Sequence, residues 1–218
     1  MTVVLTWKWG TKYGAGHVAK LQAGVARHLK REHRFLCVTD DPRGLDCQTV
    51  GIPDPALLKV DDGCYARLRM FDPIWQAQIG ATDILCLDLD MVIVGDIGPL
   101  LEHDDPFRIL IGGHFNPCRV NGSVMHIKAG AVPQVWSDFT VEEARRVARK
   151  DGSYRGTDQT WIAHKLPNCA GWTHKDGIYG FGKPGWPGHL PAGARIVAFP
   201  GSKDPATVKE AWVREHWR

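Results

Sequence analysis

The chain has 218 residues, 44% of them hydrophobic and 23% charged, with 27 basic against 24 acidic side chains. These values are ordinary for a globular protein and allow a substantial core. A net charge of +3 is too small to indicate nucleic-acid binding, and no apolar run approaches the roughly 20 residues of a membrane span.

The N-terminal segment and the cysteines both favour the cytoplasm. Residues 1–6 are too short a segment for a secretory signal. The six cysteines contain no CxxC pair, and Cys37 and Cys86 sit inside apolar, strand-like runs where a thiol packs as a small hydrophobe. We therefore expect a cytoplasmic protein whose cysteines are reduced and structural.

The first part of the chain alternates between strand and helix patterns. Short apolar runs predict buried strands, and apolar residues that recur every three or four positions predict a helix. This βαβ order predicts parallel strands joined by right-handed crossovers. The predicted elements are strands over 3–7, 35–38 and 48–52, a helix of about 15 residues from His17, and a helical segment over 65–79 that Pro73 breaks or kinks.

The segment from Ile84 to Val94 contains Asp88 and Asp90 between two apolar runs. If the segment is one strand, both carboxylates point to the same side. Two anions a few Å apart repel each other, so they need a cation or the protonation of one member, and a divalent metal is the simplest partner. The alternative is that both are solvated residues at a strand end. The preceding βα units place this strand's C-terminal end at the edge where open α/β sheets bind ligands.

The second part of the chain is less regular. Four tryptophans of the whole chain lie near glycine or proline (Trp7, Trp9, Trp172 and Trp186) and suit stacking on sugar rings or bases, with core packing as the alternative. The predicted elements are strands over 108–111, 123–127 and 195–199, a tight turn at Asn121-Gly122, a helix that a capping box at Thr140 begins and Gly152 ends, a short helix from Thr157, an irregular functional loop over 168–193, and a terminal helix over 205–217.

An ordered set of short motifs resembles a known family, the nucleotide-sugar glycosyltransferases of the GT-A fold, especially the family 8 type and related short bacterial enzymes. The resemblance covers about residues 1–203 and implies one α/β, Rossmann-like GT-A domain over 1–218, with a central mixed, mostly parallel sheet flanked by helices. It assigns 1–100 to nucleotide binding, and 101–218 to the acceptor side and the C-terminal helix. The motifs are Tyr65-Ala66-Arg67-Leu68, Leu87-Asp88-Leu89-Asp90-Met91-Val92, Asn121-Gly122-Ser123-Val124-Met125, Asp158-Gln159 and Phe199-Pro200-Gly201-Ser202-Lys203.

The resemblance implies a metal-dependent transfer of sugar from a nucleotide-sugar donor, expected to be a UDP-sugar, to a saccharide or lipid-linked acceptor. Asp88 and Asp90 would coordinate Mn²⁺ or Mg²⁺ on the donor diphosphate, since hard carboxylate oxygens suit these cations. Core packing is the alternative role for Thr6 and Trp7, and a surface charge is the alternative for Arg67. The implied donor-binding residues are Thr6, Trp7, Arg67, Asp88 and Lys203.

The implied catalytic residues are Asp158 and Gln159, and Asn121 and Asp158 would face the transferred sugar or the acceptor. Asp158 is the candidate base of an inverting reaction, whereas in a retaining reaction Gln159 would steady an oxocarbenium-like transition state. Helix N-capping is the competing role for Asp158. The sequence leaves the stereochemistry open.

The last motif departs from the family pattern. Relatives place a histidine directly before or after the phenylalanine as a third metal ligand, whereas this chain has Ala198 and Pro200. Water, Asp204 or a loop histidine such as His189 could replace it.

Two other functions fit part of the pattern. The segment from Asp88 to Ile93 also matches the aspartate-nucleophile motif of haloacid dehalogenase-type phosphatases, in which Asp88 would attack phosphorus. The missing histidine also suits a sugar- or nucleotide-binding module without turnover. The terminal helix, with Lys209, Arg214 and Arg218 near tryptophans, could touch an anionic membrane peripherally, although its acids favour simple packing on the domain.

Overall fold

The computed structural model describes residues 1–111, 118–150 and 157–218. Its strands are β1 (Thr2–Lys8), β2 (His33–Thr39), β3 (Gln48–Gly51), β4 (Asp83–Leu87), β5 (Met91–Ile93), β6 (Phe107–Ile111), β7 (Val120–Lys128), β8 (Ala170–Trp172), β9 (Ile178–Gly180) and β10 (Ile196–Ala198). Its α-helices are α1 (Ala15–His28), α2 (Pro73–Gln78), α3 (Gln134–Ser137), α4 (Val141–Lys150), α5 (Asp158–Lys165) and α6 (Ala211–His216), and the longest 3-10 segment is Asp61–Phe71.

Seven strands form the central sheet, in the order β3-β2-β1-β4-β7-β6-β8. The pairs β3–β2, β2–β1, β1–β4 and β6–β8 are parallel, while β7 runs antiparallel to both β4 and β6. The prediction of an α/β fold with a mixed, mostly parallel sheet flanked by helices is therefore confirmed.

The core lies on both faces of this sheet because side chains alternate along each strand. On β1, Val3, Leu5 and Trp7 face the cluster that includes the Asp61–Phe71 segment, α2, α4 and α5. Val4 faces the opposite cluster, which contains the apolar side of α1. Strands buried on both faces need continuous apolar runs, and such a run is what made β1, β2 and β4 recognisable in the sequence.

A smaller sheet, β5-β10-β9, lies beside the central one. β10 pairs antiparallel with β5 and parallel with β9. The polypeptide passes from the central sheet to this small sheet between Leu87 and Met91.

This passage corrects the prediction that Ile84–Val94 is one strand. Asp88 and Asp90 belong to a bend between β4 and β5, so strand periodicity does not apply to them. The amide of Asp88 donates to the carbonyl of Ser123 at 3.0 Å, and the amide of Phe199 donates to the carbonyl of Asp90 at 2.8 Å. The first hydrogen bond attaches the bend to β7 of the central sheet, and the second attaches it to the residue that follows β10 of the small sheet.

The predicted helix over 65–79 is also corrected. Most of it is the 3-10 segment, and Pro73 begins α2 rather than breaking a helix. Asp72 is the N-cap of α2, and its carboxylate accepts a hydrogen bond from the amide of Ile74 at 2.9 Å. Proline suits this first position because its missing N–H would have no helical partner there.

Three further predictions are corrected in the second part of the chain. Asn121 and Gly122 lie within β7 rather than in a tight turn: Asn121 pairs with Leu110, and Gly122 begins the bulge at the register shift between Ile109 and Leu110. The segment over 168–193, predicted to be irregular, contains β8 and β9. The terminal helix, predicted over 205–217, is limited to α6 (Ala211–His216). The predicted end of α4 at Gly152 lies outside the described residues.

The C-terminal segment packs on α1. Arg27 donates to the carbonyls of His216 and Arg218, at 2.5 and 2.8 Å, and Lys20 lies over the ring of Trp217. None of the six cysteines, all of which lie in the described ranges, forms a disulfide. In the part of the chain that the structure describes, no helix is long and apolar enough to cross a membrane.

Candidate active site

A cavity of about 660 Å³ lies where β1 and β4 end. The end of β1 and the loop after it contribute Trp7, Trp9, Lys12 and Tyr13. The bend between β4 and β5 contributes Asp88, Leu89 and Asp90; the 3-10 segment contributes Asp62, Cys64 and Arg67; and the start of α5 contributes Asp158 and Gln159.

Arg67 is the central cation of this cavity. Its Nη1 lies 3.0 Å from Oδ1 of Asp88, and its Nε lies 3.6 Å from Oδ2 of Asp158. Its Nη2 donates to the carbonyl of Gly122 at 2.6 Å, which ties the guanidinium to the bulge of β7. Burial acts to lower the pKa of Arg67, but the carboxylates of Asp88 and Asp158 outweigh it and hold that pKa well above its ordinary value. Arg67 is therefore a fixed, permanent charge.

Asp158 is 1% exposed, and burial raises its pKa above the ordinary value although Arg67 opposes this effect. The competing role predicted for Asp158, that of N-cap residue of the helix, is wrong. Thr157 is the N-cap of α5, with its hydroxyl accepting from the amide of Thr160, and Asp158 is the first helical residue. The carboxylate of Asp158 is thus turned toward Arg67 and the cavity.

Two buried polar atoms of this cluster, Nε of Arg67 and Oδ2 of Asp158, lie 3.6 Å apart and make no shorter hydrogen bond within the described residues. One is a donor and the other an acceptor. Buried polar groups are nearly always paired, and an unpaired one costs about 1–3 kcal/mol. These two atoms face each other as a buried ion pair, so each is the other's partner and the pair holds the two side chains together.

Asp90 is held by Tyr13, whose hydroxyl donates to Oδ2 of Asp90 at 2.8 Å. Burial, together with the nearby charge of Asp88, raises the pKa of Asp90 to about 6. The sequence reasoning missed Tyr13. Its only sequence signal is its place in the loop after β1, at the edge of the sheet where ligands bind.

The capacity for a metal ion rests on Asp88 and Asp90. Within the described ranges, no three His, Cys, Asp or Glu side chains are grouped to hold a metal. Asp204, one proposed substitute ligand, lies 3.2 Å from Nε2 of His17, and His189 is exposed and does not line the cavity. Mg²⁺ is commonly bound through one or two carboxylates plus substrate phosphates, so the two aspartates fit a metal that the ligand helps to hold.

The structure brings together six of the residues singled out in the sequence. Trp7, Arg67, Asp88, Asp90, Asp158 and Gln159 all line the cavity. Trp7 is 5% exposed and stacks on Trp75, so it serves both the core and the cavity wall.

The other three lie elsewhere. Thr6 is fully buried and donates to the carbonyl of Leu87 at 2.9 Å. Asn121 is buried in β7, where its side-chain oxygen accepts from the amide of Ser123 at 2.8 Å. Lys203 is exposed, with its ammonium 4.8 Å from the ring centroid of Phe181, and it does not line the cavity.

A backbone feature shapes the rim of the cavity. Asp61, Asp62 and Gly63 all have positive φ angles, of 45°, 64° and 81°. A Cβ on Gly63 would lie 2.8 Å from Nε1 of Trp9. The glycine therefore lets the indole of Trp9 close over the rim.

The fold and the site define an α/β protein with a buried arginine–carboxylate cluster at the C-terminal edge of a mixed sheet. A scan against protein-family models and a search of curated proteins both found no match.

Proposed function

We propose that the protein is a metal-dependent glycosyltransferase of the GT-A type, which moves a sugar from a nucleotide-sugar donor to a saccharide or lipid-linked acceptor. The observation that carries the proposal is the convergence of Asp88, Asp90 and Asp158 on one cavity around Arg67. The ordered motifs that resemble this family supply all four of these side chains.

Charge in the cavity supports the need for a metal. Four carboxylates line it, from Asp62, Asp88, Asp90 and Asp158, against the positive side chains of Arg67 and Lys12. A diphosphate would be repelled by this excess of negative charge. Asp88 and Asp90 would hold Mn²⁺ or Mg²⁺, which when bound supplies positive charge to the leaving nucleoside diphosphate.

The protein's own residues position the sugar. Asp158 and Gln159 line the cavity wall, where polar contacts with a sugar would fix the orientation of the reacting carbon. Arg67 also holds the carboxylates of Asp88 and Asp158 in place. Asp158 is the base if the reaction inverts the anomeric centre, and Gln159 faces the cation-like transition state if it retains it. The anomeric configuration of the product, read by NMR, distinguishes these roles.

A binding module without turnover is the second candidate, because the described residues provide only two carboxylates for a metal at the bend. A phosphatase that uses Asp88 as its nucleophile is less well supported. The ion pair of Asp88 with Arg67 lowers the nucleophilicity that this chemistry requires.

One experiment separates the three functions. The purified chain is incubated with a panel of radiolabelled nucleotide sugars and Mn²⁺, with and without a broad set of saccharide acceptors, and separately with p-nitrophenyl phosphate. Transfer, or slow metal-dependent release of sugar from the donor, is the expected result. Donor binding without turnover would favour the module. Phosphate release from the simple ester without use of any donor would exclude the transferase.

A further inference from the structure

The cavity has few positive side chains for the phosphates of a donor. Within the described part of the chain, only Arg67 and Lys12 bring a cation to its wall. Arg67 is buried, with one terminal nitrogen on Asp88 and the other on the carbonyl of Gly122. Its charge is already balanced by protein groups, so Lys12 is the cation that remains for a ligand.

Lys203, the lysine that the resemblance assigns to the donor, does not line this cavity. Its ammonium lies over the ring of Phe181, in the cluster around the small sheet. The described contacts of Lys203 are thus with the small-sheet cluster and not with the cavity wall.

Lys12 belongs to the loop between β1 and α1. The amide of Gly10 donates to the carboxylate of Asp40 at 3.0 Å, which anchors this loop to the end of β2. The ammonium of Lys12 lies 4.7 Å from the ring centroid of Tyr13, and the hydroxyl of that same tyrosine donates to Asp90. The positive charge therefore sits beside the metal-binding bend, on an exposed and flexible stem.

We propose that Lys12, rather than Lys203, binds the diphosphate of the donor. Lysine carries a compact charge with three donors and binds phosphate as a point charge, which suits a residue that reaches into the cavity from an exposed loop. This inference rests on the proposed function, and it identifies the side chain that contacts the donor phosphates.

The test compares the binding of nucleoside diphosphates by calorimetry. UDP, GDP and ADP are each titrated with Mn²⁺ into the wild-type chain and into Lys12→Gln, Lys12→Arg, Lys203→Gln and the surface control Lys30→Gln. For the nucleotide that the wild type binds, Lys12→Gln should raise Kd about tenfold, Lys12→Arg should restore most of the affinity, and the other two variants should stay within about twofold of wild type. Binding of the corresponding nucleoside should not change, because it carries no phosphate.

Two results would overturn the inference separately from the proposed function. If the wild type binds a diphosphate and Lys12→Gln binds it equally well, or if Lys203→Gln shows the larger loss, Lys12 is not the phosphate contact. If the wild type binds none of the three diphosphates with Mn²⁺, the proposed function itself fails, and the assignment of Lys12 fails with it. Circular dichroism melting confirms that each variant is folded.

Discussion

Nη1 of Arg67 lies 3.0 Å from Oδ1 of Asp88, and this contact joins the 3-10 segment to the bend between the two sheets. The arginine side chain is 7% exposed, whereas that of Asp88 is 29% exposed and faces the cavity. Arg67 thus supplies part of the positive charge that the sequence predicts beside Asp88. A metal would share Asp88 with Arg67 and would have Asp90 as its second carboxylate.

The first prediction concerns stability. Arg67→Ala leaves Asp158 buried without a positive partner, so the free energy of unfolding should fall by about 3–5 kcal/mol. Urea denaturation measures this loss. The matched control is Arg43→Ala, since Arg43 pairs with Asp41 on the surface and its loss should leave the transition midpoint unchanged. Equal midpoints for the two variants would show that the buried cluster does not stabilise the fold.

The second prediction concerns catalysis. Asp158→Asn keeps the shape of the side chain but removes its charge, so sugar transfer should slow by about 100-fold or more. Binding of nucleoside diphosphate with Mn²⁺ should change little, because Asp158 is not one of the two proposed metal ligands. Initial rates measure sugar transfer, and calorimetry measures the binding of nucleoside diphosphate. The same two measurements on Gln159→Ala provide the comparison with the neighbouring residue. A normal rate in Asp158→Asn would remove this residue from the chemistry.

The third prediction concerns pH and a buried histidine pair away from the cavity. Nε2 of His103 lies 3.0 Å from Nδ1 of His126, whose Nε2 lies 3.2 Å from the carboxylate of Asp83. Burial, with the nearby His126, lowers the pKa of His103 to about 4. The unfolded chain takes up this proton near pH 6.5, so the folded state loses stability as the pH falls from 6.5 toward 4.

The expected loss in unfolding free energy over this range is on the order of 2 kcal/mol. Urea denaturation at a series of pH values measures it. His103→Gln should flatten the dependence of the unfolding free energy on pH. The control His189→Gln, at an exposed site, should leave this dependence as in the wild type. Identical pH profiles for wild type and His103→Gln would rule out His103 as the titrating group.

The fourth prediction concerns the rim of the cavity. Gly63 has a φ of +81°, and an added Cβ would lie 2.8 Å from Trp9. Gly63→Ala should therefore lower the free energy of unfolding by about 1–3 kcal/mol and weaken donor binding by displacing the indole. Gly16→Ala, in α1 where a Cβ meets open space, should be neutral or stabilising. A Gly63→Ala protein with wild-type stability would show that the rim adapts freely.

Local patterns were sufficient for the first three elements of the fold. β1, β2 and α1 follow from buried apolar runs and a helical apolar stripe, which depend on neighbouring residues alone. The break at Asp88–Asp90 could not be found in this way, because the apolar runs on both sides read as one strand. It is set by the pairing of Met91–Ile93 with Ile196–Ala198, far along the chain.

The candidate site was predicted only in part for the same reason. Asp88, Asp90, Arg67 and Asp158 were singled out by residue type and by resemblance. The contact of Tyr13 with Asp90, and the absence of Lys203 from the cavity, depend on how distant loops pack. No local periodicity encodes such contacts.

The most direct test of the central claim is the metal dependence of sugar release from a nucleotide-sugar donor, measured for the wild type and for Asp90→Asn. The amide oxygen that this substitution introduces can still accept from Tyr13, so the fold should be retained while metal-dependent donor binding is lost. We predict release by the wild type with Mn²⁺, and none after EDTA treatment or in the variant. Release that is equal with EDTA, or equal in Asp90→Asn, would contradict a metal-dependent glycosyltransferase.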